Sequence, residues 1–146
     1  MAYEPKNYDH LLGIQGLSDT LMKTHFTLYQ GYVTNTNKLL DTFGTILKEG
    51  KLGTPEYNEL KRRFGWEFNG MRLHEYFFGG MKKTSSPLNK DSALGNQIVK
   101  DFGSCENWEK DFKATASMRG IGWTILYYDP SANKLMNVWI NEHDVG

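Results

Sequence analysis

Two long apolar stripes of helical period, separated by a pair of glycines, constrain the fold of this chain more than any other feature. After Ser18, a plausible N-cap, Leu21, His25, Leu28, Tyr32, Thr36, Leu39, Phe43 and Leu47 recur at steps of three and four, the period of one helix face. Gly50 and Gly53 end that stripe, and Thr54-Pro55-Glu56 starts the next with a cap, a proline at the first helical position and an acid in the first turn. The second stripe runs through Tyr57, Leu60, Phe64, Phe68, Met71, His74 and Phe78 to Gly79-Gly80. Two such helices with a short connection form an antiparallel hairpin.

Each stripe carries one histidine. His25 and His74 lie 26 and 23 residues either side of Lys51 in the break, so at about 1.5 Å per residue they stand within roughly 5 Å of the same level. A histidine on an apolar helix face is more often a satisfied core residue than a ligand. A matched pair points further, toward half of a metal site, because core packing does not require two imidazoles to meet. Tyr32 lies two turns beyond His25 and, by the same reckoning, opposite Gly70. It reads either as a packed tyrosine with a bonded hydroxyl or as a gate at the mouth of a site. An open iron or manganese site also takes a carboxylate. The available acids are Glu67 and Glu75, flanking the second stripe, and Glu142 and Asp144 near the end; none is a third ligand by spacing.

The rest of the chain reads differently. Residues 1–16 form an irregular arm punctuated by Pro5, Gly13 and Gly16, and the polar stretch 82–90 is a boundary. A third helix is expected over 91–102, and a fourth, capped by Ser104, from there to about Met118. Strands follow over 123–128 and 134–141, joined by the turn cluster Asp129-Pro130-Ser131-Ala132-Asn133. Alternation puts Trp123, Ile125 and Tyr127 on one face of the first strand. On the second it groups Leu135, Asn137, Trp139 and Asn141, with His143 following in phase. The expected class is α+β: an arm and antiparallel helical hairpin carrying two histidines over residues 1–85, then a partial α/β domain with a small antiparallel sheet over 86–146.

With 17 basic and 17 acidic residues the net charge is zero, which gives no pointer to nucleic acid or an anionic membrane. One cysteine, Cys105, excludes an intrachain disulfide framework and suggests a reducing, cytoplasmic setting. No signal peptide is visible and no apolar run approaches the roughly 20 residues of a membrane span. Aromatic residues make up 14% of the chain, a shell that fills volume or, around buried histidines, excludes water and holds ligands rigid.

The strings THFTLYQGYVTNTNKLL, FGWEFNGMRLHEYFFGG, DFGSCENWEKDFKATA and RGIGWTILYYDP closely resemble, in order, successive segments of the iron/manganese superoxide dismutase family. The resemblance runs from about Leu17 onward. It implies a helical hairpin followed by an α/β unit with a three-stranded sheet, one iron or manganese ion, superoxide as substrate, an antioxidant role and a homodimer. It makes His25 and His74 the hairpin's metal ligands, Tyr32 the gateway tyrosine and Trp123 an aromatic wall of the cavity. Gly70 stands where iron-type members often place a glutamine, and His143 stands as the sheet residue that hydrogen-bonds metal-bound solvent. That pattern favours the manganese-type or dual-metal arrangement.

Three departures accompany the resemblance. The His25-to-Tyr32 interval is one residue short, the histidine usual between them is missing with Tyr29 the nearest polar ring, and the segment carrying the family's aspartate and last histidine is not found in the 146 residues. The expectation is therefore a shortened member with two of four protein ligands, weak or inactive as a dismutase unless another chain completes it. The alternative is a non-enzymatic dismutase-like interaction module. A di-metal carboxylate bundle is disfavoured, because Glu-x-x-His pairs on facing helices are missing.

Overall fold

The computed structural model describes residues 3–144, so the first two residues of the arm and the last two of the chain lie outside it. The class is α+β, with four α-helices and one two-stranded antiparallel sheet among the described residues. The chain divides into two compact units, Met1–Ser85 and Ser86–Gly146.

The first unit is an arm laid on a hairpin of α1 (Asp19–Lys48) and α2 (Pro55–Gly79). Ser18 Oγ accepts from Leu21 N at 3.2 Å and Thr54 Oγ1 from Tyr57 N at 3.3 Å, so each helix starts on a side chain that satisfies an orphan amide. Gly50 and Gly53 adopt φ of 67° and 78° in the connection, a region that favours glycine.

The buried face of α1 differs from the stripe that periodicity singles out. Met22, Phe26, Tyr29 and Val33 form the core with Met71 and Phe78 of α2, whereas Leu21 (52%), Leu28 (55%) and Leu47 (62%) are exposed. The cause is the arm. Tyr8 and Leu11 are themselves buried in the same cluster, and Tyr8 packs on Phe26 and Phe78 with ring centroids 6.4 and 5.0 Å away. A third wall of this kind turns the buried arc of α1 toward the neighbouring ridge. His25 is left at the edge of the core, half-buried.

In the second unit α3 (Ala93–Phe102) and α4 (Cys105–Ala116) lie against a hairpin of β1 (Gly122–Asp129) and β2 (Lys134–Asn141). Ser92 and Ser104 cap the helices by accepting from Gly95 N and Asn107 N, both at 3.0 Å. The strands pair from Gly122↔Asn141 to Asp129↔Lys134. This register puts Trp123, Ile125 and Tyr127 on one face with Ile140, Val138 and Met136. Leu126 and Leu135 join Ile98, Cys105, Phe102 and Trp108 in the unit's core. Gly122 has no room for a side chain, since a Cβ there would sit 2.1 Å from the Ile140 carbonyl oxygen.

Side-chain bonds fix the helices on the sheet. Trp108 Nε1–H donates to Asn137 Oδ1 at 3.1 Å, and Asn137 Nδ2–H donates to Asp111 Oδ2 at 2.7 Å. Asp101 accepts from Leu135 N at 2.7 Å and from Gln97 Nε2 at 2.8 Å. No helix among the described residues is long and apolar enough to cross a membrane.

The Asp101 contacts make the second unit acid-sensitive. The Leu135 amide, then the Gln97 amide, hold the Asp101 carboxyl below its ordinary value. Its contribution is thus fully present above the unfolded pKa of about 3.9 and is lost as pH falls through the lower folded value. Asp101→Asn is expected to flatten the acid limb of stability against pH, measured by urea unfolding between pH 2 and 6, and to leave the neutral-pH slope unchanged.

Candidate metal centre

Residue by residue, the first unit converges on one end of its hairpin. His25 and His74 face each other from α1 and α2 with ring centroids 4.8 Å apart and planes at 89°. Two imidazoles sharing one ion at metal–nitrogen bonds of about 2.1 Å have centroids roughly 5 Å apart, so the pair has the spacing of a shared site. His74 is 3% exposed, and its Nδ1 lies 2.6 Å from the Gly70 carbonyl oxygen. A carbonyl only accepts, so Nδ1 carries the proton and the basic lone pair is on Nε2, the tautomer that a metal-binding imidazole uses. Burial lowers the His25 pKa and thereby favours its neutral form.

Phe77 and Phe78 wall this pair, with centroids 5.4 and 5.3 Å from His25. Tyr32 lies 5.2 Å from His74, tilted by 31°. Its ring lies on Gly70, where an added Cβ would come within 2.7 Å of Tyr32 Cδ1. Burial, then the Glu67 charge, raises the Tyr32 pKa against a smaller opposing effect of Arg63, and the phenol stays protonated at neutral pH.

Both carboxylates beside the second stripe are engaged elsewhere. Glu67, 2% exposed, accepts from Arg63 Nε at 2.7 Å and Asn35 Nδ2 at 3.2 Å. Glu75 accepts from Arg72 at 2.7 Å, from Tyr29 Oη at 3.0 Å and from Lys6 Nζ at 3.4 Å. Burial acts to raise the Glu75 pKa, but the bonds from Arg72 and Tyr29 and the charges of Lys6 and Arg72 outweigh it, and the net shift is downward. The Tyr29 hydroxyl is pushed up to about 12, mainly by burial. Neither Tyr29 nor its bond to Glu75 is legible as a site feature by spacing; the one sequence signal nearby is the Arg72–Glu75 pair at i,i+3.

Trp123 and His143 meet in the second unit. The indole N–H of Trp123 donates to His143 Nδ1 at 3.0 Å, which leaves the proton of a neutral His143 on Nε2. Strand alternation puts His143 in phase with Leu135 and Asn137, and the structure corrects this. Glu142 takes φ of 52° and its N–H donates to the Ile121 carbonyl at 2.8 Å, so the chain turns after β2 and His143, 9% exposed, comes back to Trp123.

The donor set fits a metal in part. His25 and His74 have the spacing, and for His74 the tautomer, of ligands. Among the described residues no group of three or more His, Cys, Asp or Glu is placed to hold an ion.

A half-buried and a buried imidazole facing each other across an antiparallel helical hairpin, followed by helices on a small antiparallel sheet, place the chain in the α+β class. The profile of the iron/manganese superoxide dismutases, C-terminal domain, matches residues 90–146. Over 151 residues the chain is 32% identical to superoxide dismutase [Mn] 2 of Haloferax volcanii, covering all of this chain and 73% of that protein. It is 35% identical to superoxide dismutase [Fe] of Cupriavidus metallidurans, covering 89% of this chain and 66% of the relative. For superoxide dismutase [Fe] of Sulfolobus acidocaldarius the figures are 30% identity, 87% and 62%. The chain belongs to the iron/manganese superoxide dismutase family, and it spans about two thirds of the length of these relatives.

The contact of Tyr32 with Gly70 gives a prediction. Gly70→Ala is expected to displace the Tyr32 ring from His74 and to lower stability by about 1–3 kcal/mol. Thermal unfolding measures the second effect, and the ring-current shift of the His74 Hε1 proton the first.

Proposed function

We propose that this chain is a superoxide dismutase subunit whose helical hairpin supplies two ligands, His25 and His74, to one iron or manganese ion. The observation that carries the reading is the perpendicular imidazole pair 4.8 Å apart, with His74 Nδ1 bonded to Gly70, in a chain whose relatives are named as manganese and iron superoxide dismutases. When bound, the metal supplies one-electron chemistry, oxidising one superoxide to oxygen and reducing the next to hydrogen peroxide.

The chain's own residues do the rest. His25 and His74 present ring nitrogens from two helices that buried aromatic packing holds together. Tyr32, protonated and seated on Gly70 beside His74, gates access and hands on a proton from its hydroxyl. The family resemblance gives His143, whose Nδ1 accepts from the Trp123 indole, the role of the sheet residue that hydrogen-bonds metal-bound solvent, and gives Trp123 that of an aromatic wall. An open iron or manganese centre takes more than two protein donors, so activity depends on an aspartate and a histidine completing the pair, as the family resemblance implies. The same resemblance supports a homodimer with an antioxidant role. The resemblance supplies superoxide as the substrate, a net charge of zero gives no pointer to nucleic acid or an anionic membrane, and the single cysteine supports a cytoplasmic setting.

Metal content tests this directly. After reconstitution with each metal, elemental analysis is expected to find iron or manganese on the wild-type chain and near zero on His25→Ala and His74→Ala, with superoxide consumption weak or absent unless a further aspartate and histidine complete the pair. A folded wild-type chain that retains neither metal overturns the proposal.

A further inference from the structure

We propose that Tyr29 and Glu75 form a positioning latch that sets the geometry of the His25–His74 pair; this rests on reading that pair as metal ligands. Tyr29 follows His25 by one helical turn, and Glu75 is the residue after His74. The Tyr29 hydroxyl donates to Glu75 Oε1 at 3.0 Å, so one hydrogen bond crosses from α1 to α2 at the level of the imidazoles. Tyr29 is 1% exposed and its ring lies within 29° of parallel to that of His74, centroids 6.4 Å apart.

Both ends of this bond are held in turn. The Lys6 backbone N–H donates to Tyr29 Oη at 3.1 Å, which commits the hydroxyl's own proton to Glu75. Arg72 Nη1 donates to Glu75 Oε2 at 2.7 Å, with Lys6 Nζ 3.4 Å away, which leaves Oε1 to face Tyr29. The carboxylate is thus oriented from the arm, from α1 and from its own helix.

The physical need for such a latch comes from the packing around it. Phe26, Phe78, Met22 and Met71 hold the helices together, but apolar attraction is non-directional and constrains rolling or sliding of one helix on the other only through shape. A hydrogen bond tolerates a few tenths of an ångström and a limited angle. Two imidazoles on different helices share an ion well only when their nitrogens converge, and partners outside the ligand shell fix that convergence. Tyr29 and Glu75 touch neither a substrate nor a metal and act through the helices that bear the ligands.

The test uses the full chain without metal, titrated with Co(II). Binding is followed by the visible d–d absorption and by the paramagnetically shifted imidazole N–H protons, with thermal unfolding recorded in parallel. Wild type is expected to show two shifted N–H signals, each lost on alanine replacement of its own histidine. If wild type shows none, the ligand reading fails and the latch falls with it.

If wild type binds, Tyr29→Phe and Glu75→Leu are expected to weaken Co(II) binding roughly tenfold or more, as loss of an outer-shell partner does. Glu75→Gln keeps a carbonyl acceptor for Tyr29 and is expected to stay within about threefold of wild type, well short of that loss. Trp108→Phe, which loses its bond to Asn137 in the other unit, controls for general destabilisation and is expected to bind as wild type. Folded Tyr29→Phe and Glu75→Leu with wild-type affinity overturn the latch, as does a loss shared by Trp108→Phe. If Tyr29→Phe does not fold, the contrast between Glu75→Leu and Glu75→Gln decides, and equal affinities overturn the proposal.

Discussion

The packing of Phe78 is what the rest of the first unit depends on. Its fully buried ring lies against Tyr8 of the arm, Phe26 and Tyr29 of α1, and both histidines, at centroid separations of 5.0 to 6.1 Å. A side chain in that position joins all three segments through one apolar contact. It also fixes what surrounds His25 and His74: tilted and edge-on aromatic rings, which supply volume and exclude water while offering no competing ligand. Truncating such a ring leaves a cavity that neighbours on three segments cannot all collapse into.

Around this apolar centre α2 carries two carboxylates, Glu67 buried and Glu75 partly buried, and the structure satisfies both. An ionised side chain is costly to remove from water unless paired and hydrogen-bonded. Glu67 has Arg63 and Asn35; Glu75 has Arg72, Tyr29 and Lys6. Each pairing draws partners from both helices. The polar bonds therefore add register to a contact whose strength is apolar, and they engage both acids that flank His74 on α2. The imidazoles remain as the donors facing the pair's shared space.

The second unit uses the same division of labour on a smaller scale. Ile98, Leu135, Leu126 and their neighbours supply the apolar contact between helices and sheet. Asn137 and Asp101 tie β2 to α4 and α3 by bonds to Trp108, Asp111 and Gln97 and by the Leu135 amide. At the far end of β2, a left-handed Glu142 converts a strand into a turn and sets His143 on the Trp123 indole. That contact selects the His143 tautomer, just as the Gly70 carbonyl selects the tautomer of His74.

Periodicity and turn chemistry in the sequence determine the element order. The caps at Ser18, Thr54, Ser92 and Ser104, the glycine breaks and the hairpin cluster 129–133 are local signals, each acting through bonds within a few residues. The matched levels of His25 and His74, and the facing of Tyr32 and Gly70, are also legible, because an antiparallel hairpin with a short connection converts sequence distance into height. Only the tertiary structure decides which ridge of α1 is buried. α1 has two apolar ridges about 100° apart, and the choice between them is made by Tyr8 and Leu11, whose arrival no helical period encodes. The same holds for His143, whose place depends on one backbone dihedral at Glu142, and for the Tyr29–Glu75 bond, which joins groups 46 residues apart. Contacts set by long-range packing leave no periodic trace in a sequence.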